Sequence, residues 1–102
     1  MFLQPKTMDE YIDLVHEAIY ELDELRVSID DSGLEDEWER YRDLLEPLDT
    51  GLRKLYEELT SGAYRCRPGE DLPFMPLVER LGREVPVKPL LEAINRAHRQ
   101  GL

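Results

Sequence analysis

Cysteine is nearly missing from this chain. A single one, Cys66, occurs in 102 residues, which excludes an internal disulfide and any multi-cysteine zinc site. Long apolar runs are missing too, and nothing approaches the roughly 18 residues of a membrane span. The N-terminal stretch MFLQPKTMDEY has no basic region leading into an apolar run, so it does not read as a secretory signal, and a cytoplasmic location is expected. No glycine-rich phosphate loop, zinc motif or nucleophile elbow occurs. The chain is therefore expected not to be an enzyme, with no catalytic residue, no cofactor and no metal assigned.

Positive charge is the next scarcity. There are 13 lysines and arginines against 23 acids, a formal net charge of -10. The imbalance is uneven. Residues 1–61 carry 18 acids and 6 bases, a net of -12, whereas residues 62–102 carry 5 acids and 7 bases, a net of +2. Charge on the wet faces of helices keeps a small protein soluble. It also repels phosphate backbones and anionic lipid, so neither nucleic acid nor membrane is expected as a partner. An anionic partner would land on the C-terminal third.

What is present is helical periodicity. Thr7 and Glu10 have capping-box spacing, in which each side chain answers a free backbone donor of the other. Met8, Ile12, Val15, Ile19 and Leu22, extended by Leu25 and Ile29, then predict a first helix of roughly 33 Å with one apolar face. Asp30-Asp31-Ser32-Gly33 reads as a turn, with Ser32 capping the next helix and Glu35 reciprocating. Leu34, Trp38, Tyr41, Leu45, Leu48, Leu52, Leu55 and Leu59 follow a four-three repeat without a miss, and Leu44 and Tyr56 widen that face beyond a coiled-coil seam. The short link makes the two helices antiparallel neighbours. Pro47 falls off the stripe, so the continuous helix is expected to bend there with its missing bond facing solvent. The rival is a break, with Asp49 or Thr50 capping a new helix beside Gly51.

Ser61-Gly62 ends the second helix. Residues 62–72 read as a loop containing a Pro-Gly turn. A short helix is expected from Pro73 or Phe74 to Gly82, capped by Asp71, with Phe74, Leu77, Val78 and Leu81 inward and Pro76 in its first turn. REVPVKP is expected to be extended. Residues 89–99 make a last helix with Leu90, Leu91, Ile94 and Ala97 inward. The expected fold is all-α, a single helical domain over 1–102: a long antiparallel hairpin, kinked near Pro47, with two shorter helices packed across it.

Three sets of residues invite chemistry. Arg65 and Arg67 flank Cys66 and would favour its thiolate, but a nucleophile also needs a base within reach. His16 and His98 are the only histidines, and nothing in the sequence places either beside Cys66. Asp13-x-x-His16 has the spacing of one arm of a bundle metal centre, yet there is no second arm. Two short C-terminal helices with Arg96, His98 and Arg99 suggest a helix-turn-helix, although the link GREVPVK is too long for that module. The same arginines complement the dipole of their own helix end.

The sequence thus points to a non-enzymatic helical protein-interaction module: an adaptor, regulator or small accessory subunit. A DNA-binding regulator using the C-terminal pair is the alternative, and a small enzyme with an unrecognised helical pocket ranks below it. The candidate partner-binding residues are Tyr64, Arg65, Arg67 and Phe74, because aromatics and arginine dominate the energetics of such surfaces. A protein partner and a two-fold homodimer through part of the hairpin are expected. The competing account for Tyr64 and Phe74 is that they cap the open end of the hairpin.

Overall fold

In the computed structural model, the described backbone comprises residues 5–32, 35–65, 69–82, 85 and 87–100, and side chains are described for these except over 28–42. Four helices form, α1 (Met8–Ser32), α2 (Glu35–Ser61), α3 (Met75–Glu79) and α4 (Lys88–Gln100), with no strand among the described residues. The fold is the small all-α bundle that the periodicity predicts. α1 packs on α2 and α4, and α3 packs on the same two helices. The 27 residues of α2 account for a length of about 40 Å at 1.5 Å per residue, matching the 40 Å long axis of the molecule.

α1 starts where the capping pattern puts it. The Glu10 amide donates to Thr7 Oγ1 at 3.1 Å. Glu10 reaches back one residue further than expected and accepts from the Lys6 amide at 2.6 Å, so the reciprocal bond falls on Lys6 and not on Thr7. The buried line of the helix is also rotated from the expected one. Tyr11, Val15, Ala18 and Leu22 are all at 0% exposure, whereas Met8 is 40% exposed and Ile12 only partly covered. The cause is that α1 has two neighbours. Its buried arc must meet α4 as well as α2, so it is centred between the two contacts. The hydroxyl of Tyr11, donating to the Ile94 carbonyl at 3.2 Å, fixes the α4 side.

The expected turn at Asp30–Gly33 is corrected. Asp30, Asp31 and Ser32 are helical and close α1, so Ser32 does not hold the N-cap position of α2. The preference of Asp and Ser against helix is only a few tenths of a kcal/mol each, about what one more turn added to an existing helix overcomes. Gly33 and Leu34 lie outside the described residues, as do the side chains of Ile29, Trp38 and Tyr41.

α2 runs unbroken through Pro47 and Gly51. Pro47 and Asp43, whose carbonyl loses its amide partner, are both exposed, in line with a missing bond on the wet side of the helix. Leu45, Leu48, Leu52, Leu55 and Leu59 are buried in an unbroken line, with Leu44 beside them. The helix ends in a Schellman turn. Gly62 has φ of 82°, and the Ala63 amide returns to the Glu58 carbonyl at 2.9 Å. Arg53 of α2 ties the hairpin on its wet side, bonding Asp23 of α1 and Asp49 of its own helix at 3.0 Å each. Exposed pairs of this kind contribute about 0–1 kcal/mol, so burial of the leucines holds the two helices together.

The third helix is shorter than the sequence suggests. It spans Met75–Glu79, with Phe74 at the N-cap and no side-chain cap, while Pro73 lies in the preceding turn. Asp71 is therefore not its cap; that carboxylate is directed to α4 instead. Pro76 sits in the first turn as expected. Phe74, Met75, Val78 and Leu81 are buried and Leu77 is partly so. Of the stretch expected to be extended before α4, Arg83, Glu84 and Pro86 lie outside the described residues, but two bonds across three residues each are not those of an extended chain. The Val85 amide bonds the Gly82 carbonyl at 3.0 Å and the Lys88 amide bonds the Val85 carbonyl at 3.2 Å. Leu90, Leu91, Ile94 and Ala97 face inward as expected, joined by Ala93, Asn95 and His98.

Candidate functional site

The connection between α2 and α3 is pinned to α4, and pinning it opens a cleft. Among the described residues, four hydrogen bonds join its residues 69–72 to α4. The Gly69 amide, at a φ of 82°, donates to the Arg99 carbonyl at 3.0 Å, which satisfies one of the free carbonyls at the end of α4. The Leu72 amide donates to Asn95 Oδ1 at 2.8 Å, in a buried position. Asn95 Nδ2 and Arg99 Nη1 both donate to Asp71 Oδ1, at 2.9 and 2.6 Å. The bonds from Asn95 and Arg99 hold the Asp71 carboxyl below its ordinary range.

The aromatic residues fix the two ends of this segment. Tyr64 is half-buried, its ring 5.7 Å from that of Tyr11 and 5.7 Å from the imidazole of His98. Its hydroxyl lies 2.6 Å from Nδ1 of the buried His98. Phe74 is buried against α2 at Gly51, where a Cβ would stand 3.0 Å from Phe74 Cδ2 and 3.3 Å from its Cβ. Gly51 is in the helix because the ring needs that approach.

Between these anchors lies a cleft of about 530 Å³ along one flank of α2, from Pro47 to Glu58, closed on the other side by residues 64–65 and 70–74. Leu55, Leu72, Phe74 and Leu77 supply its apolar surface, and Tyr64 and His98 line it. Lys54 and Arg65 also line it, and neither has an ion-pair partner among the described residues. Glu58 and Glu70 share the lining, so recognition there depends on where each charge sits and not on one sign of field.

Of the candidate residues, Tyr64, Arg65 and Phe74 meet at this cleft, Tyr64 and Phe74 as partly or fully buried walls and Arg65 exposed. Arg67 and Cys66 lie outside the described residues. His16 is exposed on α1, away from the cleft, its ring 5.7 Å from Tyr56 of α2. No group of three or more metal-binding side chains gathers among the described residues. Arg99 is engaged by Asp71, and Arg96 is exposed. No helix among the described residues is long and apolar enough to cross a membrane.

The residues that sequence reasoning missed are Asn95 and His98 as buried anchors, Asp71 as the partner of Asn95 and Arg99, and Lys54. One signal was available. Leu91, Asn95 and His98 are spaced four and three, which places two polar side chains on a line that begins with a core leucine. Polar groups buried on such a line need fixed partners.

No family model matches the chain, and no curated protein or solved structure matches it either.

Proposed function

We propose that this chain is a non-enzymatic helical interaction module, an adaptor, regulator or small accessory subunit that takes a partner segment into the cleft between α2 and residues 64–65 and 70–74. The observation that carries this reading is the pairing of an apolar cleft with two cations, Lys54 and Arg65, that have no ion-pair partner among the described residues. In a chain with a net charge of -10 most positive groups have acids nearby, so two left open beside Phe74 and Leu77 suit an apolar side chain flanked by a carboxylate. Arg65 supplies a planar fork for that carboxylate and Lys54 a point charge. The bonds from Asn95 and Arg99 order the segment in advance, which lowers the entropic cost of binding.

The test is copurification from the native cell with mass spectrometric identification, comparing wild type with Lys54→Ala/Arg65→Ala. Both side chains are exposed, so circular dichroism should show the variant folded. A specific partner should be captured by wild type and lost by the variant. Equal capture of every specific partner rejects the cleft as the binding surface.

A further inference from the structure

A second surface lies on the other flank of the hairpin, and its chemistry differs from that of the cleft. On α1 the exposed residues Asp13, Glu17, Tyr20, Glu24 and Val27 recur at four, three, four and three, which places them on one face. Tyr20 and Val27 are each 58% exposed, two of the three large apolar side chains most open to solvent among the described residues. They stand one heptad apart, about 10 Å along the helix. The Tyr20 hydroxyl is held by the carboxylate of Glu24, which raises its pKa. Beside Tyr20 a groove of about 480 Å³ runs between α1 and α2, lined by His16, Ile19, Asp23, Arg53 and Tyr56. Arg53, the cation among its described lining residues, is bound to Asp23 and Asp49. Among the described residues, the carboxylates of Asp13, Glu17 and Glu24 have no such cation.

We propose that this α1–α2 face docks a basic amphipathic helical segment of a partner protein, with apolar side chains seated on Tyr20, Val27 and the groove and with lysines or arginines against Asp13, Glu17 and Glu24. Charge complementarity selects this occupant. A second copy of the same face would set its acids against these acids, and anionic lipid or nucleic acid would be repelled. The apolar pair and the groove give the register that charge alone lacks, in the manner of a helix laid in a groove. The face lies on a different flank of α2 from the cleft, so this assignment stands or falls separately.

The probe is a fluorescent synthetic amphipathic peptide of leucine and lysine, titrated into the full chain by anisotropy, with an oligolysine of equal charge and a leucine–glutamate peptide as comparisons. Saturable binding of the leucine–lysine peptide is expected, weakening as salt is raised. Oligolysine should bind at least about tenfold more weakly, and Tyr20→Ser/Val27→Ser should weaken the leucine–lysine peptide by a similar factor. These two side chains are exposed, so the variant should keep the wild-type helical spectrum and unfolding midpoint. Amide NMR shifts on binding should concentrate over residues 13–27 and 53–56. The proposal is overturned by equal affinity for the Tyr20→Ser/Val27→Ser variant, by equal affinity for oligolysine, by shifts centred on the cleft, or by no binding. Sedimentation showing a wild-type dimer that the same variant dissociates would assign the face to a second copy and overturn it too.

Discussion

Asn95 and Leu72, 23 residues apart, are joined by a buried 2.8 Å hydrogen bond from the Leu72 amide to the Asn95 side chain. One side chain of α4 thereby replaces the backbone partner that Leu72 would have in a helix or sheet. Asn95→Ala leaves that amide unpaired and is expected to destabilise the fold by about 1–3 kcal/mol. Urea unfolding measures this. Limited proteolysis of the native variant should show faster cutting between Tyr64 and Pro73, and a variant as stable and as resistant as wild type would show that this anchor does not hold the segment.

The same anchor gives stability a pH dependence. The Asp71 carboxyl is depressed in the folded chain by Asn95 and Arg99, so in acid the unfolded chain binds its proton first. The contribution is fully present above the unfolded value of about 3.9 and disappears as pH falls through the lower folded value. Asp71→Asn should therefore lower stability at neutral pH and flatten the acid limb. Urea midpoints followed from pH 7 down to about pH 2.5 decide it. A wild type and variant that differ by a constant amount throughout would reject the linkage.

Leu52 is at 0% exposure in the middle of the buried leucine line of α2. Leu52→Ala is expected to cost about 2–5 kcal/mol. A loss under about 0.5 kcal/mol in thermal or denaturant unfolding would be that of a surface position, incompatible with this packing.

Gly51 and Phe74 should be strongly coupled. Gly51→Ala gains about 1 kcal/mol of helix propensity but drives a Cβ into the Phe74 ring, at a cost of about 1–3 kcal/mol. The single change should therefore be neutral to destabilising. With Phe74→Ala already in place, the same Gly51→Ala should become stabilising by several tenths of a kcal/mol to about 1 kcal/mol. A double-mutant cycle by urea denaturation reads the change of sign, and additive effects would refute the coupling.

Much of the hairpin was legible because one helix with one apolar line leaves little ambiguity. Leu45 to Leu59 fall at four-three spacing and are all buried, and Thr7 and Gly62 mark helix ends by local chemistry. α1 was harder to read. Apolar residues occupy most of its circumference on one side, and only the presence of α4 decides that Tyr11 and Ala18, not Met8 and Ile12, lie deepest. The cleft depends still more on tertiary placement. Tyr64, Arg65 and Phe74 can be singled out by residue type, but Lys54 and Gly51 join them only because α2 passes beneath the segment. Asp71 looked like a helix cap because the sequence around it offers that role locally. Its actual partners lie 24 and 28 residues away.

The bond from Tyr11 to Ile94 spans 83 residues, which bears on the order of assembly. During synthesis α1 and α2 emerge first and can pair as a local hairpin, while the side of α1 that α4 covers stays open to water. The Tyr11–Ile94 bond can form only after α4 has left the ribosome. Until then the nascent hairpin presents an apolar strip to chaperones or to neighbouring chains. Final closure is a long-range step, slower than helix pairing and sensitive to any delay at the C-terminal end.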